Sequence, residues 1–433
     1  MFNSKIKNYR WIIVALLFTA TIINYIDRQI IGLLKPILEK EFNWTETDYA
    51  HIIMAFSAAY AVGLISFGWL IDKLGTKLGY SITIVVWSVA GMLHAAVKTV
   101  FGFSMARVGL ALGEAGNFPA AMKAVSEWFP KKERALATGI FNSGTSIGVV
   151  LALLVVPWIL SHYGWQEVFW ITGSFGFIWL IFWLFLYTIP AKQKRLTKKE
   201  YEYITSGQNT ENADEQKIKV KWGKLFSLPQ TWAFIAGKGL IDPIFWFFLF
   251  WLPSYFSATF DLDLTKPSLE LMIVYGATTV GSIGGGYFSS WLIRRGLPVL
   301  NARKGALLLF ALLEVSIILV QFANDIWIAV ALISLAVAAH QAWATNVFTM
   351  ASDMFPSKVV SSVVGIGGMA GAVGGILFPI LVGALLDKYK IIGNLEAGYN
   401  ILFTVCGFTY LLALTIIHLL TRKHQYVKLN ELK

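Results

Sequence analysis

The chain has 433 residues, 56% of them hydrophobic and only 14% charged, with a mean hydropathy of +0.62. Soluble globular domains carry about 25% charged residues, so this composition excludes an ordinary soluble protein. The net charge is +11, and the single cysteine, Cys406, excludes an intramolecular disulfide and a cysteine-based zinc or iron–sulfur centre.

A bilayer core about 30 Å thick needs roughly 20 apolar residues per helix. Twelve such segments follow in order: 11–34, 49–71, 80–97, 101–126, 135–157, 165–189, 231–257, 270–293, 303–321, 325–352, 359–386 and 397–421. They are long and continuously apolar, without the alternation of strands, so the predicted fold is an all-α integral membrane protein. The first run is too long for a cleaved signal peptide and leads into Asn24-Tyr25-Ile26-Asp27-Arg28.

Ionisable groups within spans cost several kcal/mol unless paired or facing a cavity, so each is a functional candidate. Span 1 holds Asp27 and Arg28. Span 2 holds Tyr60 and closes on Gly68-Trp-Leu-Ile-Asp72-Lys73-Leu-Gly75-Thr-Lys77-Leu-Gly79. There Gly68 and Gly75 allow close packing and a tight turn, and Asp72 can accept from a neighbouring helix end or a basic residue. Span 4 holds Arg107 and Glu114 two turns apart on one face. At 1.5 Å per residue, Asp27 and Arg107 both lie roughly 25–30 Å from the cytoplasmic end, where they are expected to pair, with Glu114 nearer the midplane. A guanidinium in a dry cavity binds a carboxylate bidentately, and a buried carboxylate near it can trade its proton for that interaction.

Span 5 contains Phe141-Asn142-Ser-Gly144-Thr145-Ser146-Ile-Gly148, which offers small residues for helix packing and polar candidates in Asn142, Thr145 and Ser146. Asn24, Tyr25, Asn117 and Asn346 are further neutral candidates. The charged stretch 190–230 reads as a solvated cytoplasmic linker with one surface helix. It divides a six-helix bundle over 1–189 from a second over 231–433.

In span 7, Lys238 and Asp242 are four residues apart and can bridge, and Pro243 predicts a kink or break. Glu314 stands isolated in span 9. The glycine run 365–375 lies inside a span and reads as packing and hinge. The halves repeat: a shift of 226 aligns Ser126-Glu-Trp-Phe-Pro130 with Ser352-Asp-Met-Phe-Pro356 and places His340-Gln341 level with Glu114. Duplicated six-span halves are a transporter architecture.

With a cytoplasmic N-terminus, 26 of the 36 Lys and Arg fall on the cytoplasmic side, 6 on the other and 4 within spans. That asymmetry puts both termini in the cytoplasm. The basic charges are scattered over loops, which argues against nucleic-acid binding. No nucleophile–base set, metal-ligand pattern or phosphate loop is visible, so no enzyme, cofactor or metal is expected.

The loop from Gly68 to Gly79 resembles the signature of the major facilitator superfamily, with Lys73 in place of the usual Arg. The resemblance implies that fold: twelve transmembrane helices in two pseudo-symmetric bundles. Asn24 to Arg28 resembles the span-1 motif of the anion:cation symporter family, and Arg107 to Gly116 its span-4 motif. Within that family the chain is similar to hexuronate transporters through Phe141 to Gly148, Asp242-Pro243, Phe250-Trp251-Leu-Pro253 and His340-Gln341.

The resemblance implies a monomeric, proton-coupled symporter importing a sugar acid such as glucuronate or galacturonate across a bacterial inner membrane. It implies proton coupling at Asp27 and Glu114, and substrate contact through Arg28 and Tyr60, with Arg107 partnering the span-1 acid. Arg107, Asn142, Thr145, Lys238, Asp242, His340 and Gln341 complete the candidate substrate site, and Gly68, Asp72, Lys73 and Gly75 form a conformational loop. Thr145 stands where sugar-acid relatives can carry Gln, and Lys238 and Asp242 stand where some hexuronate carriers show Arg and Glu. An aldonate such as galactonate, or an aromatic carboxylate near Trp246, Phe248 and Trp251, is the alternative substrate. A ligand sensor without transport is the alternative class, and it calls for a large signalling domain.

Overall fold

The computed structural model describes residues 6–44, 46–206, 222–262, 268–422 and 426–428. The acidic stretch 211–215 of the linker lies outside these residues. In chain order the first half runs α1 (Tyr9–Phe42), α2 (Glu46–Leu74), α3 (Thr76–Leu93), α4 (Val100–Ala115), α5 (Asn117–Trp128), α6 (Lys131–His162), α7 (Trp165–Leu186) and the short α8 (Lys198–Thr205). The second runs α9 (Pro229–Gly239), α10 (Asp242–Phe260), α11 (Leu269–Arg294), α12 (Val299–Glu314), α13 (Ile326–Met354), α14 (Val360–Ile391) and α15 (Leu395–Thr421). Among the described residues the sole β-bridge joins Ile6 to Leu196.

Each of the twelve predicted spans coincides with one helix or one helix pair. Among the described residues, ten helices are long and apolar enough to cross a membrane. The remaining two passes have visible reasons. Span 4 is interrupted at Gly116, giving α4 of 16 residues and α5 of 12. The 26-residue α11 is diluted by glycine, serine and threonine. Span 7 breaks where Pro243 predicts it, α9 ending at Gly239 and α10 starting at Asp242.

The chain forms two compact units. One comprises Met1–Lys131, Ile140–Thr210 and Ser357–Ile366; the other Lys132–Gly139, Glu211–Pro356 and Gly367–Lys433. Each unit thus holds a short stretch of the other sequence half, and the repeat shift of 226 carries one stretch almost onto the other.

Between apolar helices in lipid, association depends on close van der Waals packing and buried hydrogen bonds. In the first unit a β-carbon on Gly144 would lie 2.8 Å from Phe18 O, and one on Gly148 2.7 Å from Ile22 O. The two glycines therefore seat α6 on the backbone of α1. Beyond the site, Trp44, Phe103, Trp165 and Phe169 are all buried against Leu34 and Leu38 of α1. Trp44 meets Phe103 edge-on at 4.8 Å, a geometry that adds about 0.5–1.5 kcal/mol to area burial.

The linker departs from the expected solvated strip. Glu200 of α8 is buried, and its carboxylate accepts Tyr9 N at 3.0 Å and Arg10 N at 3.3 Å. These are first-turn N–H groups of α1, left without partners inside the helix. The same carboxylate pairs with Arg10 Nη1 at 3.0 Å, and the Arg10 guanidinium lies 4.9 Å over the Tyr203 ring. The Asn8 side chain makes no cap bond to α1, so Glu200 supplies the cap from a distance.

Candidate functional site

In the first unit, α1, α2 and α4 bring four charged side chains together. Asn24, Asp27 and Arg28 lie at helical spacing on α1. Arg28 Nε donates to Glu114 Oε2 at 2.9 Å, and Nη2 makes an ion-pair contact with the same oxygen at 2.9 Å. The Glu114 side chain is wholly buried, whereas that of Arg28 remains 15% exposed. Aromatic rings surround the guanidinium: Tyr60 at 4.6 Å, Tyr25 at 4.9 Å and Phe56 at 5.4 Å. The rings hold its plane through cation–π attraction.

Arg107 Nη2 donates to the backbone oxygen of Arg28 at 3.3 Å, and its guanidinium lies 4.8 Å from the Phe56 ring. Asp27 is buried beside the Thr172 hydroxyl, which donates to Val168 O at 2.8 Å, and neither carboxylate oxygen reaches hydrogen-bond geometry with a described residue. It lies within electrostatic reach of both Glu114 and Arg107. Asp27 thus lies close to Arg107, as its depth suggested, while a direct ion pair joins Arg28 to Glu114. Arg28 and Glu114 fall on different helices, 86 residues apart, so spacing along one helix could not reveal them as partners.

Asn142 and Thr145 are buried on α6. Gly148 presses against Tyr25 Cβ, with 2.8 Å left for a β-carbon, which carries that face of α6 to the turn of α1 holding Arg28.

The second unit holds a separate polar group. Lys238, in the last turn of α9, pairs with Asp242, the first residue of α10, at 2.8 Å across the helix break. The Lys238 ammonium lies 4.0 Å from the Phe348 ring centre. Asp242 is the more open partner, 22% exposed against 7%. On α13, His340 Nδ1 and the Tyr410 hydroxyl are 2.6 Å apart, and the imidazole stacks on Phe245 at 4.9 Å. Gln341 beside it is buried. The glycine run of α14 packs as expected: Gly367, Gly371, Gly374 and Gly375 meet Phe234, Asp242, Pro243 and Trp246 respectively.

The loop after α2 is built around Asp72. Its Oδ1 accepts Lys123 Nζ at 2.8 Å, and its two oxygens accept Ser361 N at 3.3 Å and Ser362 N at 2.6 Å. Asp72 thus takes both partners foreseen for it, a basic residue and a helix end, here the first turn of α14. Gly68 lies against Ser361 O, where a β-carbon would sit 2.6 Å away, and Gly75 turns the chain at φ +84°. Lys73 is exposed and stacks 4.6 Å over Trp69.

Phe56, Phe245, Phe348 and Tyr410 are site neighbours that the sequence did not single out. Phe56 precedes Tyr60 by one helical turn and stacks on it at 5.8 Å, a spacing that could have flagged it. Tyr410 carries no such signal, being 70 residues from His340. Arg134 and Arg303, counted among the loop charges that set orientation, are buried: Arg303 Nε meets Asp353 Oδ2 at 2.9 Å and Arg134 Nη1 meets Oδ1 at 3.4 Å.

Chemically, the first unit offers two guanidinium groups and two acids, one acid in an ion pair and one accepting no hydrogen bond. That set can receive an anion and hold or release a proton. The sequence profile described as Major Facilitator Superfamily matches residues 17–379. The chain is 33% identical to the "Hexuronate transporter" of Escherichia coli (strain K12), covering 95% of this chain and 94% of that one. It is 32% identical to the "Galacturonate transporter" of Dickeya chrysanthemi, covering 65% and 82%. Among solved structures it resembles the proton:xylose symporter XylE bound to 6-bromo-6-deoxy-D-glucose, with TM-score 0.71, 14% identity and 94% of both chains covered.

Proposed function

The chain belongs to the Major Facilitator Superfamily, and from that premise we propose that it imports a sugar acid, a hexuronate such as glucuronate or galacturonate, together with a proton by alternating access. It is a multi-pass membrane protein and a transporter, not an enzyme. The relatives named as hexuronate and galacturonate transporters support the substrate class. The 26-to-6 division of basic residues supports an inner-membrane orientation with both termini cytoplasmic. A monomer is the working unit.

The observation that carries the mechanism is the Arg28–Glu114 pair. Glu114 and a substrate carboxylate compete for the same N–H groups of Arg28. A proton arriving at Glu114 neutralises it and frees Nε and Nη2 for the substrate, whose carboxylate matches the planar fork. Arg107, held by the Arg28 backbone, keeps the local charge positive toward the anion. Asp27 holds the second proton of the set, because an ionised carboxylate with no hydrogen bond is costly within a span. Release of the sugar acid lets Glu114 give up its proton and close on Arg28 again. The polar group of the second unit, Lys238, Asp242, His340 and Gln341, offers donors and an acceptor of the kind that sugar hydroxyls take.

Uptake of labelled galacturonate into proteoliposomes tests this reading. An inward proton gradient is expected to drive accumulation above the equilibrium level. Uptake indifferent to that gradient would remove the proton from the mechanism. Competition by galactonate or an aromatic carboxylate stronger than that of glucuronate would move the assignment to the alternative anions.

A further inference from the structure

Span 9 changes geometry at a buried acid. α12 ends at Glu314, and the chain continues as a 3₁₀ helix over Val315–Phe322. Runs of 3₁₀ longer than about four residues are uncommon, and within a helix they often mark a hinge. Glu314 is wholly buried, and neither of its oxygens accepts a hydrogen bond from a described residue.

Cys406 and Tyr410 stand one turn apart on α15, both buried, and both lie within electrostatic reach of Glu314. Among the described residues, no charged group on α11 or α13 compensates it. Tyr410 in turn shares its hydroxyl with His340 Nδ1 at 2.6 Å. His340 feels the charge of Lys238, which is paired with Asp242. An unpaired acid therefore lies near a hydroxyl that is itself bonded to the imidazole beside the second unit's polar group.

An ionised carboxylate without a partner in this setting costs several kcal/mol, and the neutral acid avoids that cost. We infer that Glu314 is a further protonation site of the transport cycle, beside Glu114 and Asp27, one that exchanges its proton with His340 through Tyr410. The inference rests on the proton-coupled uptake proposed above. In the exchange, Glu314 gives its proton to the Tyr410 oxygen while the Tyr410 hydroxyl passes its own to His340 Nδ1. Glu314 becomes a carboxylate, His340 an imidazolium, and Tyr410 is unchanged. The imidazolium is disfavoured beside Lys238, so an anion arriving in the second unit's own polar group draws the proton across. A change between 3.0 and 3.6 residues per turn after Glu314 rotates the end of α12 and brings the acid to the hydroxyl.

Difference infrared spectroscopy on the full-length protein in lipid tests this alongside proton-to-galacturonate ratios from reversal potentials. Beside the bands of Asp27 and Glu114, the wild type is expected to show a carbonyl band of protonated Glu314 that shifts when galacturonate is added. Glu314→Gln should lose the band and carry one proton fewer per galacturonate. Tyr410→Phe should keep the band but abolish its shift. A band undiminished in Glu314→Gln, or a wild-type ratio in that variant, overturns the inference. Should Glu314→Gln fail to fold, the response of the band in Tyr410→Phe decides: a shift equal to wild type overturns it. If the wild type takes up no galacturonate, the substrate reading fails by itself, and loss of the band in Glu314→Gln still decides whether this acid holds a proton.

Discussion

A β-carbon on Gly371 would lie 2.2 Å from Asp242 Oδ2, so the carboxylate fills the space that any side chain at position 371 would need. The glycine run of α14 is thereby tied to the polar group at the break between α9 and α10. Gly371→Ala should push Asp242 off Lys238 and raise the KM for galacturonate about tenfold, or ~1.4 kcal/mol. Gly383→Ala is the matched control, since a β-carbon there meets nothing within 4 Å. Uptake kinetics of both variants check this, and equal KM values would separate Asp242 from substrate binding.

Glu114→Gln removes the charge that competes for Arg28 and mimics the protonated state. The variant should bind galacturonate and exchange it across the membrane at near wild-type rates. Its concentrative uptake should fall at least tenfold and lose its response to external pH. In the wild type, lowering external pH should protonate Glu114 and speed uptake. Arg28→Lys should weaken binding in both assays, because an ammonium cannot reproduce the fork.

Asp72→Asn leaves the Lys123 ammonium without its carboxylate and weakens the hold on the first turn of α14. Loss of one partner from a buried ion pair costs about 3–5 kcal/mol, and the Asp72 and Lys123 side chains are only 8% and 5% exposed. The melting temperature in detergent should fall clearly, and the balance of conformations should shift. Lys73→Ala, at an exposed residue next to it, should change neither by a comparable amount.

Asp353→Asn would strip the carboxylate from two buried guanidinium groups, Arg134 and Arg303. Its destabilisation should equal or exceed that of Asp72→Asn. Substituting Arg294, an exposed residue that lies 5.2 Å over Tyr287, should leave thermal stability nearly unchanged. Differential scanning fluorimetry of the purified variants measures both.

The twelve passes were legible because a membrane demands long apolar runs whatever the neighbours are. The break at Pro243 and the acceptor role of Asp72 were legible for local reasons, a missing donor and a carboxylate beside a turn. Partners lying across helices were not. Nothing in the spacing of Arg28 selects Glu114 over Asp27, since several acids lie at similar depth and packing decides which one faces it. Arg134 and Arg303 looked like loop charges because hydropathy cannot show that Asp353 is buried next to them. His340 was noticed by position in the repeat, while Tyr410 has no local signature.

The cap that Glu200 places on α1 has a consequence for how the protein is made. Residues 9 and 10 leave the ribosome about 190 residues before their acceptor exists. The first helix must enter the bilayer with those N–H groups held by water or headgroups. Its final hydrogen bonds form only after α7 has been synthesised and the chain has emerged from the membrane into α8. Completion of the first helix is therefore a late event in translation, a closing clasp that reports that the preceding helices are in place.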